Sequence, residues 1–259
     1  MRDFLDALAH SAVETINKAY YDDCPTAEPV PASLKRAIQE SAVAPIIAEV
    51  KGASPSKGTI RADFEPEAVA EAMSRGGAVG ISVLTEPKHF RGSLSYLARI
   101  RNDVRLPLLM KDIIVSPTQL DAGSRAGANA VLLIQALFNR CYCECSVYEM
   151  INQAHRANLE VLLEVHNSDE FQRALKTEAD LIGINNRDLG TLEVDLNVTR
   201  RILERTEFDS SIIIVAESGI NTPADVRFLR RCGAKAFLVG SAIMEADDME
   251  AKVSELVKA

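Results

Sequence analysis

Short apolar runs rich in β-branched residues recur along this chain at PIIAEVK (45–51), VGISVLT (79–85), LPLLMK (106–111), AVLLI (130–134), LEVLLEV (159–165), DLIGIN (180–185), SIIIVAE (211–217) and KAFLVG (235–240). Each suits one strand and is too short for a core helix, and its near-continuous apolarity is that of a strand covered on both faces. The segments between them have helical spacing. Val69, Ala70 and Met73 make one apolar face; Phe171, Ala174 and Leu175 another; Val226 and Leu229 a third; Met249, Val253, Leu256 and Val257 the last. Ser116 before Pro117 and Thr222 before Pro223 suit an N-cap followed by a first-turn proline, while Gly76, Gly127 and Gly233 stand where helices should stop. Strands that alternate with helices must pair in parallel through crossovers. Eight such units in 259 residues predict an α/β fold, a closed (β/α)8 TIM barrel rather than an open doubly wound sheet.

The predicted organisation is a single domain over 1–259, with a helical extension at 1–44 and the barrel at 45–259. The extension holds an amphipathic helix near 2–20, a joint at Pro25, Pro29 and Pro31, and a short helix near 32–41. So few residues cannot bury a core of their own, so both helices are expected to pack on the barrel and to cover an end. A net charge of −8 speaks against nucleic acid or an anionic membrane as a partner over a broad surface. Asp3, Asp6 and Glu14 interrupt the N-terminal segment, and the longest apolar runs are too short to span a bilayer, so a cytoplasmic location is expected. The sequence leaves open a monomer or a small homo-oligomer.

Three of the five cysteines, Cys141, Cys143 and Cys145, form CYCEC, with Cys24 and Cys232 apart. The spacing lacks the wider pairs of a zinc site, and free thiols at a helix start are the better reading. His10, His89, His155 and His166 show no metal spacing and read as surface residues or as supports of other groups. No metal is expected.

Glu49 and Lys51 close the first run, although burying an unpaired ion costs several kcal/mol. Two residues apart in a strand, they share a face. Lys111, Glu164, Asn185, Glu217 and Ser218 fall likewise at the C-terminal tips of the third, fifth, sixth and seventh runs. All are expected to meet at one rim of the barrel, the rim that carries chemistry in this fold. Opposite charges in a partly dry cleft are expected to hold one another ionised while burial moves their pKa values toward neutrality. Gly219 after the seventh run, and Gly240 with Ser241 after the eighth, occupy the loops that cradle phosphate in such barrels. Ser54, Ser56 and Lys57 lie in a flexible loop suited to folding over an anion, and Arg187 is placed to meet a substrate carboxylate or to pair with Asp188.

Taken in order, IIAEVKGASPSKG, SVLTEPKHFRGS, LLMKDIIV, LLEVHN, IGINNRDL, VAESGI and LVGSAIM resemble the indole-3-glycerol-phosphate synthases of the tryptophan pathway, over essentially residues 32–245. The resemblance implies a phosphorylated small-molecule substrate, 1-(2-carboxyphenylamino)-1-deoxyribulose 5-phosphate. It is closed to an indole with loss of carbon dioxide and water, and no cofactor is implied. Carried over motif by motif, Lys111 would protonate the ketone oxygen, and Glu164 would act with a second acid in losing that oxygen as water. Lys51 would contact the substrate's anionic groups and serve as that second acid, while Glu49 and Glu217 would orient the lysines and the substrate. Asn185 and Arg187 would stand at the anthranilate end, and Ser54, Gly219, Gly240 and Ser241 at the phosphate, with Ser218 a further substrate-binding residue.

One departure is Ile113, where the family commonly has Phe after the KD of the third motif; Phe90 remains as an aromatic wall. Another phosphosugar barrel, such as an aminoaldose–ketose isomerase, would share the phosphate loops but has no need of two strand-end lysines. A noncatalytic barrel binding a phosphorylated metabolite has no need of an acid–base set.

Overall fold

The computed structural model describes residues 3–54, 58–61 and 64–259, the side chain of Ser54 excepted. Eight parallel strands close into a barrel: β1 (Ile46–Val50), β2 (Gly80–Leu84), β3 (Leu108–Lys111), β4 (Ala130–Ile134), β5 (Glu160–Val165), β6 (Leu181–Asn185), β7 (Ile214–Glu217) and β8 (Ala236–Val239). Each pairs with its neighbours in sequence, and β1 pairs with β8 through Ile47 opposite Leu238. The segments Ala53–Ser54 and Gly58–Thr59 form a small antiparallel pair beyond β1. The expected strands are all present, but the run at 211–217 is a strand only from Ile214, with the Ile213 carbonyl accepting the Ile182 N–H at 3.1 Å just before it.

The helix starts follow their sequence signals. Ser116 and Thr222 each cap a helix with proline in its first turn and complete a reciprocal box with Gln119 and Asp225. Gly233 ends its helix in the left-handed region at φ 113°, as expected. Gly76 also caps the end of its helix, Pro66–Arg75, with helical torsions, and the left-handed turn falls on Gly77, φ 95°.

Alternation divides the core into two layers. Ile46, Ala48, Val50, Ile81, Val83, Val131 and Leu163 face the outer helices. Ile47, Leu109, Leu132, Leu162, Val215 and Leu238 fill the barrel interior together with residues of the extension. The two N-terminal helices, Phe4–Asn17 and Leu34–Gln39, serve opposite ends. Leu34 is packed against Gly80 at the start of β2, and its N–H donates to Glu160 at the start of β5 (2.7 Å). Phe4 and Leu8 instead reach the cavity at the strands' C-terminal ends. The Phe4–Asn17 helix is fastened there by Arg140, whose Nη1 lies 2.7 Å from both Asp3 and Asp6, and by the Tyr142 hydroxyl, which donates to Asp6 (3.0 Å).

Candidate active site

Glu49 is the next-to-last residue of β1 and points inward; Lys51, just past the strand end, returns to the same side. The Lys51 ammonium donates to Glu49 Oε1 at 2.7 Å. Lys111, the last residue of β3, lies across the barrel mouth with its Nζ 3.0 Å from Glu49 Oε2 and 3.2 Å from Glu217 Oε2 at the end of β7. Two glycines make this packing possible. A Cβ on Gly240 would stand 2.3 Å from Glu49 Oε1 and 2.8 Å from Lys51 Nζ, and one on Gly183 would stand 2.2 Å from Glu217 Oε1. The backbone of β6 and of the loop after β8 therefore comes as close to these carboxylates as a side chain normally would.

The charges are not driven to neutrality as a set. Burial opposes ionisation of Glu49, but Lys111 and Lys51 outweigh it and hold the carboxyl down at about 2. Burial likewise works against the Lys111 ammonium, yet Glu49, Glu217 and Glu164 together hold it above the ordinary lysine range. Only Glu217 moves the expected way. Burial, reinforced by Glu164 and Glu49, raises its carboxyl to about 8 against the pull of Lys111, and its Oε1 has no hydrogen-bond partner among the described residues. The expectation that a desolvated lysine would titrate near neutrality is thus corrected, because three carboxylates surround it.

Glu164 reaches the same cavity from β5. Burial raises its carboxyl, but His166, Lys111 and a hydrogen bond from Asn185 prevail and keep it below the ordinary range. Its Oε1 lies 3.1 Å from His166 Nε2. Asn185 ends β6, and its Oδ1 accepts from the Arg187 N–H at 3.0 Å. The Arg187 guanidinium makes no pair with Asp188 among the bonds found; it donates to the Leu192 carbonyl (2.8 Å) and lines the cavity.

The cavity is about 470 Å³. One wall is apolar, with Phe4, Leu8, Phe90, Ile113, Leu132 and Leu189. The lining also includes Ser218, Gly219, Gly240 and Ser241, which follow β7 and β8. Ser218 and Gly219 both take positive φ, 64° and 80°, and a Cβ at Gly219 would stand 2.3 Å from Val194 Cγ1. A cavity with charged groups on its floor, an apolar wall and a small-residue turn suits a flat ring carried on a phosphorylated chain.

Except for Glu217 and Ser54, the candidate site residues all line this one cavity; Glu217 is fully buried and meets it through its contact with Lys111, and the Ser54 side chain lies outside the described residues, as do Ser56 and Lys57. Sequence reasoning missed the wall contributed by Phe4 and Leu8, whose apolar spacing in the first helix was the available signal, and the contact of His166 with Glu164. The cysteines are free, and burial pushes the Cys143 thiol up to about 12, so it is not a nucleophile. Among the described residues no helix is long and apolar enough to cross a membrane.

Comparison with known proteins agrees with this geometry. The indole-3-glycerol phosphate synthase of Koribacter versatilis (strain Ellin345) is 42% identical over 233 residues, which are 89% of this chain and 87% of the relative. That of Rhodopirellula baltica is 45% identical over 204 residues, 79% of this chain and 76% of the relative. A thiamine phosphate pyrophosphorylase from Pyrococcus furiosus, at 21% identity, superposes with a TM-score of 0.61 over 86% of this chain and 96% of its own, a likeness of fold alone. The family model for indole-3-glycerol phosphate synthase matches residues 8–256, and the chain belongs to that family.

Proposed function

We propose that the protein closes 1-(2-carboxyphenylamino)-1-deoxyribulose 5-phosphate to indole-3-glycerol phosphate, with Lys111 as the acid of the ring-closing step. The observation that carries this reading is the Lys111 ammonium held charged at the cavity floor by Glu49 at 3.0 Å and Glu217 at 3.2 Å. The ring carbon bearing the carboxylate attacks the ketone carbon with an electron pair supplied by the anilino nitrogen. The carbonyl pair moves onto oxygen, which takes a proton from Lys111 Nζ. Carbon dioxide then leaves, and its bonding pair restores the aromatic ring. In the dehydration, Lys51 protonates the departing hydroxyl while Glu164, held ionised, removes a proton from the adjacent ring carbon; that C–H pair becomes the new double bond.

Binding divides between the two sides of the cavity. The apolar wall of Phe4, Leu8, Phe90 and Ile113 takes the aromatic ring, and Arg187 and Asn185 stand on its polar edge. Ser218, Gly219, Gly240 and Ser241 take the phosphate, where the small residues let main-chain N–H groups approach it. An isomerase of aminosugars would also use such a phosphate turn, but not two lysines and an ionised glutamate around one reacting carbon.

The test is the fluorescence of the indole product on mixing purified protein with the carboxyphenylamino substrate in the presence of EDTA. Turnover is expected, and its absence at saturating substrate rejects the activity. Lys111→Ala is expected to lower kcat by at least about 1000-fold, and Ser241→Ala to raise KM about 10-fold with kcat nearly intact. The reverse pattern would overturn the division of the cavity into an acid side and a phosphate side.

A further inference from the structure

His166 is the first residue after β5, and its side chain is 14% exposed. It stands between two carboxylates: Nδ1 is hydrogen-bonded to Glu170 Oε2 at 3.3 Å, and Nε2 is 3.1 Å from Glu164 Oε1, a charge pair without hydrogen-bond alignment. Glu170 lies in the first turn of the helix Ser168–Ala174. The same Oε2 accepts the His166 backbone N–H at 2.8 Å, and the Glu170 N–H donates to Asn167 Oδ1, the cap of that helix, at 2.9 Å. Main chain therefore fixes Glu170, Glu170 fixes the imidazole, and the imidazole meets Glu164. Of these residues only Glu164 lines the cavity.

We propose that His166, braced by Glu170, is a positioning residue for the reaction: its ring, paired by charge with Oε1 of Glu164 from behind, holds that carboxylate in the cavity ready to act as a base. The inference rests on the reading of Glu164 given above. It follows from the charges that face the pair from every side. Lys111 approaches Glu164 from β3, but that ammonium is already bound by Glu49 and Glu217. Asn185 approaches from β6 and brings no charge, and Glu217 from β7, raised to about 8, brings no cation. Asp188, in the loop after β6, adds negative potential around His166. Burial opposes the charge on the His166 ring, but Glu164 and Glu170 overcome it and raise the ring to about 10, so an imidazolium stands beside Glu164 throughout the neutral range.

The sign of the test follows. Glu164 is depressed in the folded protein, so a step that needs its anion is fully available above the depressed pKa and fails as pH falls through it. Removing the neighbouring cation raises that pKa and moves the acid limb of activity toward neutrality. His166→Gln keeps a donor of similar reach and loses the charge. It is expected to shift the acid limb of kcat/KM up by about 1 pH unit, so that activity falls by up to about 10-fold at pH values on the wild-type acid limb and hardly at all at pH 8.5, with KM changed less than about 2-fold. Independently of turnover, the 15N shifts of the His166 ring are expected to report an imidazolium through pH 8 in the wild type and a lower titration in Glu170→Gln.

Wild-type turnover is measured first, so failure of the assigned reaction is seen before any variant is compared. An unchanged pH profile in His166→Gln overturns the proposal, as does a loss equal at all pH values that is accompanied by a lowered thermal midpoint. A wild-type ring that titrates near 6.5, or one indifferent to Glu170→Gln, overturns it by the second route.

Discussion

Gly183 offers a way to disturb the charged centre without touching any ionisable group. It sits within β6, opposite Glu164 on β5 and Val215 on β7, and a Cβ there would lie 2.2 Å from Glu217 Oε1 and 3.3 Å from both Glu217 Cδ and Leu162 Cδ1. Ordinary contact needs about 1 Å more than the shortest of these distances, so in Gly183→Ala the Glu217 carboxylate must withdraw by about that much. Oε2 belongs to the same rigid group, so the 3.2 Å contact with Lys111 lengthens to about 4 Å and the ammonium turns toward Glu49. A displacement of that size at a reacting group costs about 100-fold in turnover. The effect on stability is smaller. The clashing atom ends a flexible side chain, and alanine restricts the unfolded chain more than glycine does, so a net loss of about 1 kcal/mol is expected. Product fluorescence reads the first effect and urea unfolding the second. In a Glu217→Ala background the obstacle is gone, and Gly183→Ala is expected to cost nothing or to stabilise by up to about 1 kcal/mol. Additive effects in that double-mutant cycle, or wild-type turnover in the single variant, would refute the reasoning.

Other outcomes follow from the same geometry. Glu217 is raised in the folded state, so the native protein holds a proton that the unfolded chain has released; the contribution of Glu217 to stability is greatest below the ordinary carboxyl pKa and falls as pH climbs from about 4.5 to about 8, with a slope of up to about 1.4 kcal/mol per pH unit. Glu217→Gln is expected to flatten that slope in urea titrations. Gly219→Ala forces a side chain into φ 80° and against Val194, with an expected loss of about 1–2 kcal/mol and a KM raised more than kcat is lowered, as steady-state kinetics will show. Arg140→Ala releases the helix that carries Phe4 and Leu8 into the cavity. Its ion pairs are partly exposed, so the thermal midpoint should move little while KM rises about 5-fold, and added salt should raise the wild-type KM toward that of the variant.

The barrel was legible because parallel strands covered on both faces interrupt their apolar runs only at the ends. The same rule set the start of β7 early, since Ser211 and Ile212 precede the strand and pairing with β6 begins where the Ile213 carbonyl accepts the Ile182 N–H. Charges at strand ends were legible for the same reason, and alternation put Glu49 and Lys51 on one side. What sequence spacing does not carry is how many carboxylates converge on one ammonium from across the barrel. That number sets the direction of every shift here. Glu49, Glu164 and Glu217 meet two ammoniums, Lys51 and Lys111. Glu49 touches both, at 2.7 and 3.0 Å, and stays ionised. Glu164 draws on His166, a partner signalled only by Asn167 and Glu170 at capping-box spacing directly after it. Glu217 is left with a share of Lys111 and an unpartnered Oε1 against the Gly183 backbone. Burial therefore weighs most on Glu217. The proton settles on the group with the poorest company, so Glu217 alone is raised while its two neighbours remain anions.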